Sequence, residues 1–94
     1  MIGAFVLIRT FSAGVHCGIL KESAGTSVTL TDARRIWRWR GANSLHELSQ
    51  KGCDDAYSRI SDPVPIILLT QAVEVIPCSA KAEKNLRNSR WDKS

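Results

Sequence analysis

Two long apolar runs stand near the two ends of the chain, IGAFVLIR at residues 2–9 and PIILLTQAVEVIP at 65–77. Uninterrupted, β-prone runs of this kind predict strands buried on both faces. Between them, SAG at 12–14 supplies turn chemistry, and VHCGILK at 15–21 resumes an extended pattern, with Gly18 as a bulge or close-approach point. ESAG at 22–25 reads as a hairpin turn. TSVTLT at 26–31 alternates Val28 and Leu30 with threonines, as a half-exposed antiparallel strand does. Asp32 and Ala33 read as one more tight connection, into RRIWRWR at 34–40. Short turns between successive strands predict a meander of about four strands over residues 2–40.

The periodicity then changes. In NSLHELSQKG at 43–52, Ser44 and Glu47 have capping-box spacing, Leu45 and Leu48 share a helical face, and Gly52 is placed as a stop. CDDAYSRISDP at 53–63 is polar and reads as a loop. The second apolar run divides near Thr70–Gln71 into two strand-like halves and ends at Pro77, after which Ser79 can cap a short helix through Leu86. The fold class expected is α+β, β-dominated: an antiparallel meander or small barrel-like sheet with one or two short helices. Residues 1–78 are expected to form a single globular domain, and 79–94 a basic C-terminal helix and tail.

Ninety-four residues suffice for one domain with a modest core, a size at which association is a common source of added stability. The net charge of +4 is uneven. Lys81, Lys84, Arg87, Arg90 and Lys93 against Glu83 and Asp92 give +3 over residues 79–94, leaving +1 for the rest. A basic tail on a near-neutral body points to nucleic acid less strongly than a basic face would. Cys17, Cys53 and Cys78 are odd in number and lack CxxC spacing, which fits reduced thiols and supports neither a disulfide framework nor a metal site. MIGAFVLI is too short for a signal peptide, and no apolar stretch reaches the roughly 20 residues of a membrane span, so a cytoplasmic protein with no membrane partner is expected.

Three stretches carry candidate chemistry. In ARRIWRWRG at 33–41, strand alternation puts Arg35, Trp37 and Trp39 on one face and Arg34, Ile36, Arg38 and Arg40 on the other. The tryptophans are either core or interface, with Arg38 and Arg40 in water, or one of them lines a pocket. There an indole stacks on a base and the guanidinium of Arg34 or Arg35 forks onto a phosphate. In RTFSAGVHCG at 9–18, Arg9, Thr10, Ser12 and His16 surround a small-residue turn whose backbone N–H groups suit an anion. In GANSL at 41–45, Asn43 and Ser44 either cap the following helix or meet an anion there.

Catalysis finds less support. Ser12 and His16 have no orienting acid, Asp54, Asp55 and Asp62 sit in a polar loop, and no P-loop or dinucleotide fingerprint occurs. A binding protein without cofactor or metal is expected rather than an enzyme.

The strings RTFSAGVHCGIL, ARRIWRWRGANSLHEL and AVEVIP together resemble a family of small tailed-bacteriophage and prophage proteins, a domain of unknown function, over Arg9–Pro77. The resemblance implies a phage origin and no particular activity. With that origin the expectation becomes a homo-oligomer in the host cytoplasm that sequesters a nucleotide-like anion, such as a cyclic-nucleotide or ADP-ribose-derived immune signal. The alternative is a phage accessory protein that binds nucleic acid, a virion component or a host protein.

Overall fold

The computed structural model describes residues 1–54 and 58–89. Strands β1 (Phe5–Thr10), β2 (Val15–Ala24) and β3 (Ser27–Arg38) form an antiparallel meander, followed by helix α1 (Leu45–Lys51). A two-residue strand β4 (Arg59–Ile60), then β5 (Val64–Leu69), β6 (Ala72–Pro77) and helix α2 (Ala80–Asn88) complete the chain. The sheet runs β4-β3-β2-β1-β6, with β5 also pairing β3, and every pairing is antiparallel. This is the β-dominated α+β fold expected from the hydrophobic pattern.

The meander differs from expectation at one place: three strands cover the residues assigned to four. Asp32 is not a turn. It sits inside β3 at φ +49, a conformation that a short polar side chain tolerates better than most. On one side β3 keeps an unbroken register with β5, from Thr31↔Ile66 to Ala33↔Val64. On the other, its register with β2 slips between Cys17 and Ile19. Gly18 lies at that slip, where a Cβ would come within 2.9 Å of the Thr31 carbonyl oxygen. The bulge inverts the side-chain phase of β3: Val28 and Leu30 enter one core cluster together with Ala33, whereas Ile36 enters the other.

The short link between β5 and β6 forces the sheet to curl. β5 and β6 occupy opposite edges, roughly 19 Å apart in a flat sheet of five strands. Two residues, Thr70 and Gln71, join them, and such a link spans at most about 11 Å. The edges therefore approach at this end, where the Ala72 N–H donates to the Thr26 carbonyl at 2.9 Å. Val6, Ile8, Leu20, Val28, Leu30 and Leu69 fill the inside of the curl.

The outer face carries a second cluster, in which Phe5, Leu7, Cys17 and Ile36 meet Leu48 of α1 and Leu86 of α2. Ser44 caps α1 by accepting from the Glu47 N–H, and Gly52 ends it at φ +78. Ser79 caps α2 through the Ala82 N–H. Asn85 ties the helices together, its Oδ1 accepting from the Cys53 N–H at 2.8 Å and its Nδ2 donating to the Cys53 carbonyl at 2.9 Å. With Leu86 fully buried, α2 is part of the same core as the sheet. Of the expected basic tail, residues 90–94 lie outside the described residues, as does Asp55 of the polar loop.

Candidate functional site

The ten residues singled out from sequence are held in different ways. Arg9, Thr10 and Ser12 are held by the β1–β2 hairpin and its neighbour. Arg9 pairs with Glu74, its register partner on β6. The Thr10 hydroxyl donates to the Gly14 carbonyl and accepts from the Ala13 N–H, both at 2.8 Å, which closes the turn. Ser12 donates to Gln71 Oε1 at 2.6 Å, linking the hairpin to the β5–β6 connection.

His16 is buried, with Nε2 2.9 Å from the Ala13 carbonyl oxygen, so a proton on Nε2 is donated inside the hairpin. Burial holds its pKa below the ordinary 6.5. The Ala13 hydrogen bond opposes that shift, and the charge of Arg35 adds to it. Its imidazole is neutral near pH 7 and braces the turn.

Arg34 and Arg35 part company. Arg34 is only 5% exposed. Its guanidinium donates to the carbonyls of Ser61 at 2.7 Å, Leu86 at 2.8 Å, Arg87 at 2.9 Å and Ser89. Those last three are carbonyls at the end of α2 that the helix itself leaves unpaired. Arg34 therefore leaves the candidate site: it is a built-in cap for a distant helix, with no donor fork to offer an anion.

Arg35 takes the other face. Its main chain exchanges hydrogen bonds with Ser61, the Arg35 N–H donating to Ser61 Oγ at 2.8 Å and the Ser61 N–H to the Arg35 carbonyl at 2.9 Å. Its guanidinium lies against Gly14, where a Cβ would be 3.3 Å from Nη2, and over the Trp37 ring at 5.5 Å from the centroid. Trp37 is 64% exposed.

Trp39 does not share that face. β3 ends at Arg38, alternation lapses, and Trp39 packs against the outer core cluster beside Ala42 and Leu45. Ser44 caps its own seven-residue helix and Asn43 is exposed beside it, so the GANSL segment works as a helix start.

Two further surface features had no usable sequence signal. Arg59, on the two-residue β4, stands directly opposite Arg38. Among the described residues no carboxylate lies within ion-pair distance of either, and directly opposed like charges on a sheet are unfavourable until a counter-charge arrives. Phe11, at the tip of the β1–β2 hairpin, is 81% exposed. Two shallow surface depressions of about 340 and 430 Å³ lie elsewhere, along α2, and neither is lined by Arg35 or Trp37.

Two of the three thiols, Cys17 and Cys78, are held protonated. Burial pushes Cys17 up to about 12, and burial with the nearby Glu83 charge does the same to Cys78, so neither is a thiolate at neutral pH. Among the described residues no group of three or more His, Cys, Asp or Glu side chains is placed to hold a metal, and no helix is long and apolar enough to cross a membrane.

These features define a small α+β domain: a curled antiparallel sheet, two helices on its outer face, and an open Arg–Trp surface beside the first hairpin. The chain belongs to the family described as a domain of unknown function (DUF6948), which matches residues 3–86. No curated protein matches the chain, and no solved structure does.

Proposed function

We propose that this is a phage-encoded homo-oligomeric binding protein that captures a nucleotide-like anion in the cytoplasm of the bacterial host, a cyclic-nucleotide or ADP-ribose-derived immune signal being the class that fits its chemistry. The observation that carries the reading is the Arg35–Trp37 pair, an exposed indole with a guanidinium over its ring. A guanidinium placed this way keeps its N–H donors at its edge, where a phosphate binds, while the indole offers stacking surface to a base. Gly14 is part of the arrangement: its missing side chain lets Arg35 lie flat against the hairpin. Titration calorimetry with a panel of cyclic dinucleotides and ADP-ribose derivatives tests this. The expected outcome is binding to one class, weakened more than about tenfold by Trp37→Ala or Arg35→Ala, with little loss of stability because Trp37 lies at the surface. Binding unchanged in both variants would refute it.

A second reading, single-stranded nucleic acid, is favoured by the opposed Arg38 and Arg59 on the paired strands β3 and β4. Salt separates the two. Three phosphate contacts to a strand, one from each of Arg35, Arg38 and Arg59, give a slope of log K on log salt near −2, at about 0.7 per contact. One small ligand loses much less.

A further inference from the structure

Beside Trp37, the edge strand β4 brings a second pair of cations to the sheet. Ile36 stands opposite Ile60, and Arg38 opposite Arg59. These partners are two residues apart on β3 and one apart on β4, so Trp37 and Arg38 together face Arg59 across a bulge. Ile60 belongs to the outer cluster with Ile36. Alternation therefore turns Arg59 to the other face, the one on which Arg35 covers Trp37.

β3 runs between β2 and β4. The Arg35 guanidinium lies against Gly14, immediately before β2, whereas Arg59 stands on β4. With strands spaced about 4.8 Å, the two flanks of Trp37 that carry these cations lie roughly 10 Å apart. Arg38 is exposed and Arg59 half-buried, and among the described residues neither has a carboxylate within ion-pair distance. Arg59 Nη1 reaches the carbonyl of its neighbour Ser58 only at 3.4 Å. Opposed like charges weaken a sheet pairing, and a two-residue strand has few ladder bonds to offset them. Local conflicts of this kind concentrate at functional sites.

We infer that Arg38 and Arg59 form a second phosphate site, and that the ligand is a nucleotide with a phosphate at each end of its sugar, as in a cyclic dinucleotide. The base stacks on Trp37, one phosphate meets Arg35 beside the hairpin, and the other meets Arg38 and Arg59. Guanidinium forks suit both phosphates, and the charge of the second relieves the opposed pair. A pyrophosphate joins its two phosphorus atoms through one oxygen and is too short to reach both flanks. The inference rests on the Arg35–Trp37 reading and narrows its ligand class from any nucleotide-like anion to one with separated phosphates.

Titration calorimetry with cyclic di-AMP and cyclic di-GMP, against AMP, GMP and ADP-ribose, tests it. One cyclic dinucleotide is expected to bind, and Arg59→Gln or Arg38→Gln should weaken it about tenfold or more, as loss of a charged hydrogen bond does. The same variants should leave the matching mononucleotide and ADP-ribose within about twofold of the wild type, a change too small for a lost charged contact. Neither variant should melt below the wild type without ligand, because each removes a like-charge opposition. Cyclic dinucleotide binding that is lost in Trp37→Ala but kept in both glutamine variants would overturn the second site and leave the Arg35–Trp37 reading standing. ADP-ribose weakened as much as the cyclic dinucleotide would overturn the separated-phosphate requirement. Binding that survives Trp37→Ala, or no binding by any of the five, would overturn both readings.

Discussion

Replacing Arg34 by alanine removes the donors that hold the carbonyls of Ser61, Leu86, Arg87 and Ser89. Each buried carbonyl left without a partner costs about 1 kcal/mol or more, and a hydrogen bond from a charged donor carries about 1.5–3 kcal/mol. Water reaches part of the vacated space, and removing a buried charge returns some desolvation energy, so the net loss comes to about 2–4 kcal/mol. A domain of this length has about 5–14 kcal/mol of stability in all. At about 4–8 °C per kcal/mol, Arg34→Ala should lower Tm by about 8–32 °C. Arg34→Met, which keeps the aliphatic stem without donors, should fall nearly as far. Arg34→Lys should lie between, because an ammonium supplies donors without the planar fork. Far-UV circular dichroism melts at fixed concentration read all three. A fall of less than about 4 °C for Arg34→Ala would mean that the cap contributes under 1 kcal/mol and that Arg34 does not hold the end of α2.

Gly52→Ala should cost about 2–3 kcal/mol, since a Cβ there adds backbone strain at φ +78 and would sit 2.6 Å from the Asn85 side chain, breaking its grip on Cys53. Gly25→Ala, at φ +60 with nothing within 4 Å, should cost only about 1 kcal/mol, both variants being read by urea titration. His16 predicts a pH dependence. Its folded pKa lies below the unfolded 6.5, so the unfolded chain binds more protons as pH falls. Its contribution is fully present above 6.5 and is lost as pH falls below that value. His16→Gln should flatten this part of the stability profile, and an unchanged acid limb would contradict the assignment.

Much of the fold was legible because its signals are local. Ser44 and Gly52 bound α1, Ser79 starts α2, and the break at Thr70–Gln71 separates β5 from β6. Asp32 misled because a turn and a bulge use the same residue chemistry. What separates them is whether both neighbouring strands continue past it, and β2 and β5 are brought there by distant parts of the chain. The site divides along the same line. Alternation put Arg34 and Arg35 on opposite faces, but it could not tell which face would be covered. That depends on α2, whose carbonyls reach Arg34 from 52 to 55 positions along the chain. Trp39 escaped the pattern because the strand stops one residue before it. Arg59 had no signal at all, since two residues are too few to show a period.

The proposed function puts the ligand at Arg35 and Trp37. An NMR titration of isotope-labelled protein with the nucleotide that binds best tests it most directly. The Trp37 indole N–H and the Gly14 amide are expected to shift in step with ligand, while the Trp39 indole, packed against the outer core, stays in place. Shifts confined to Trp39, or to the Lys81–Asn88 face of α2, would contradict it.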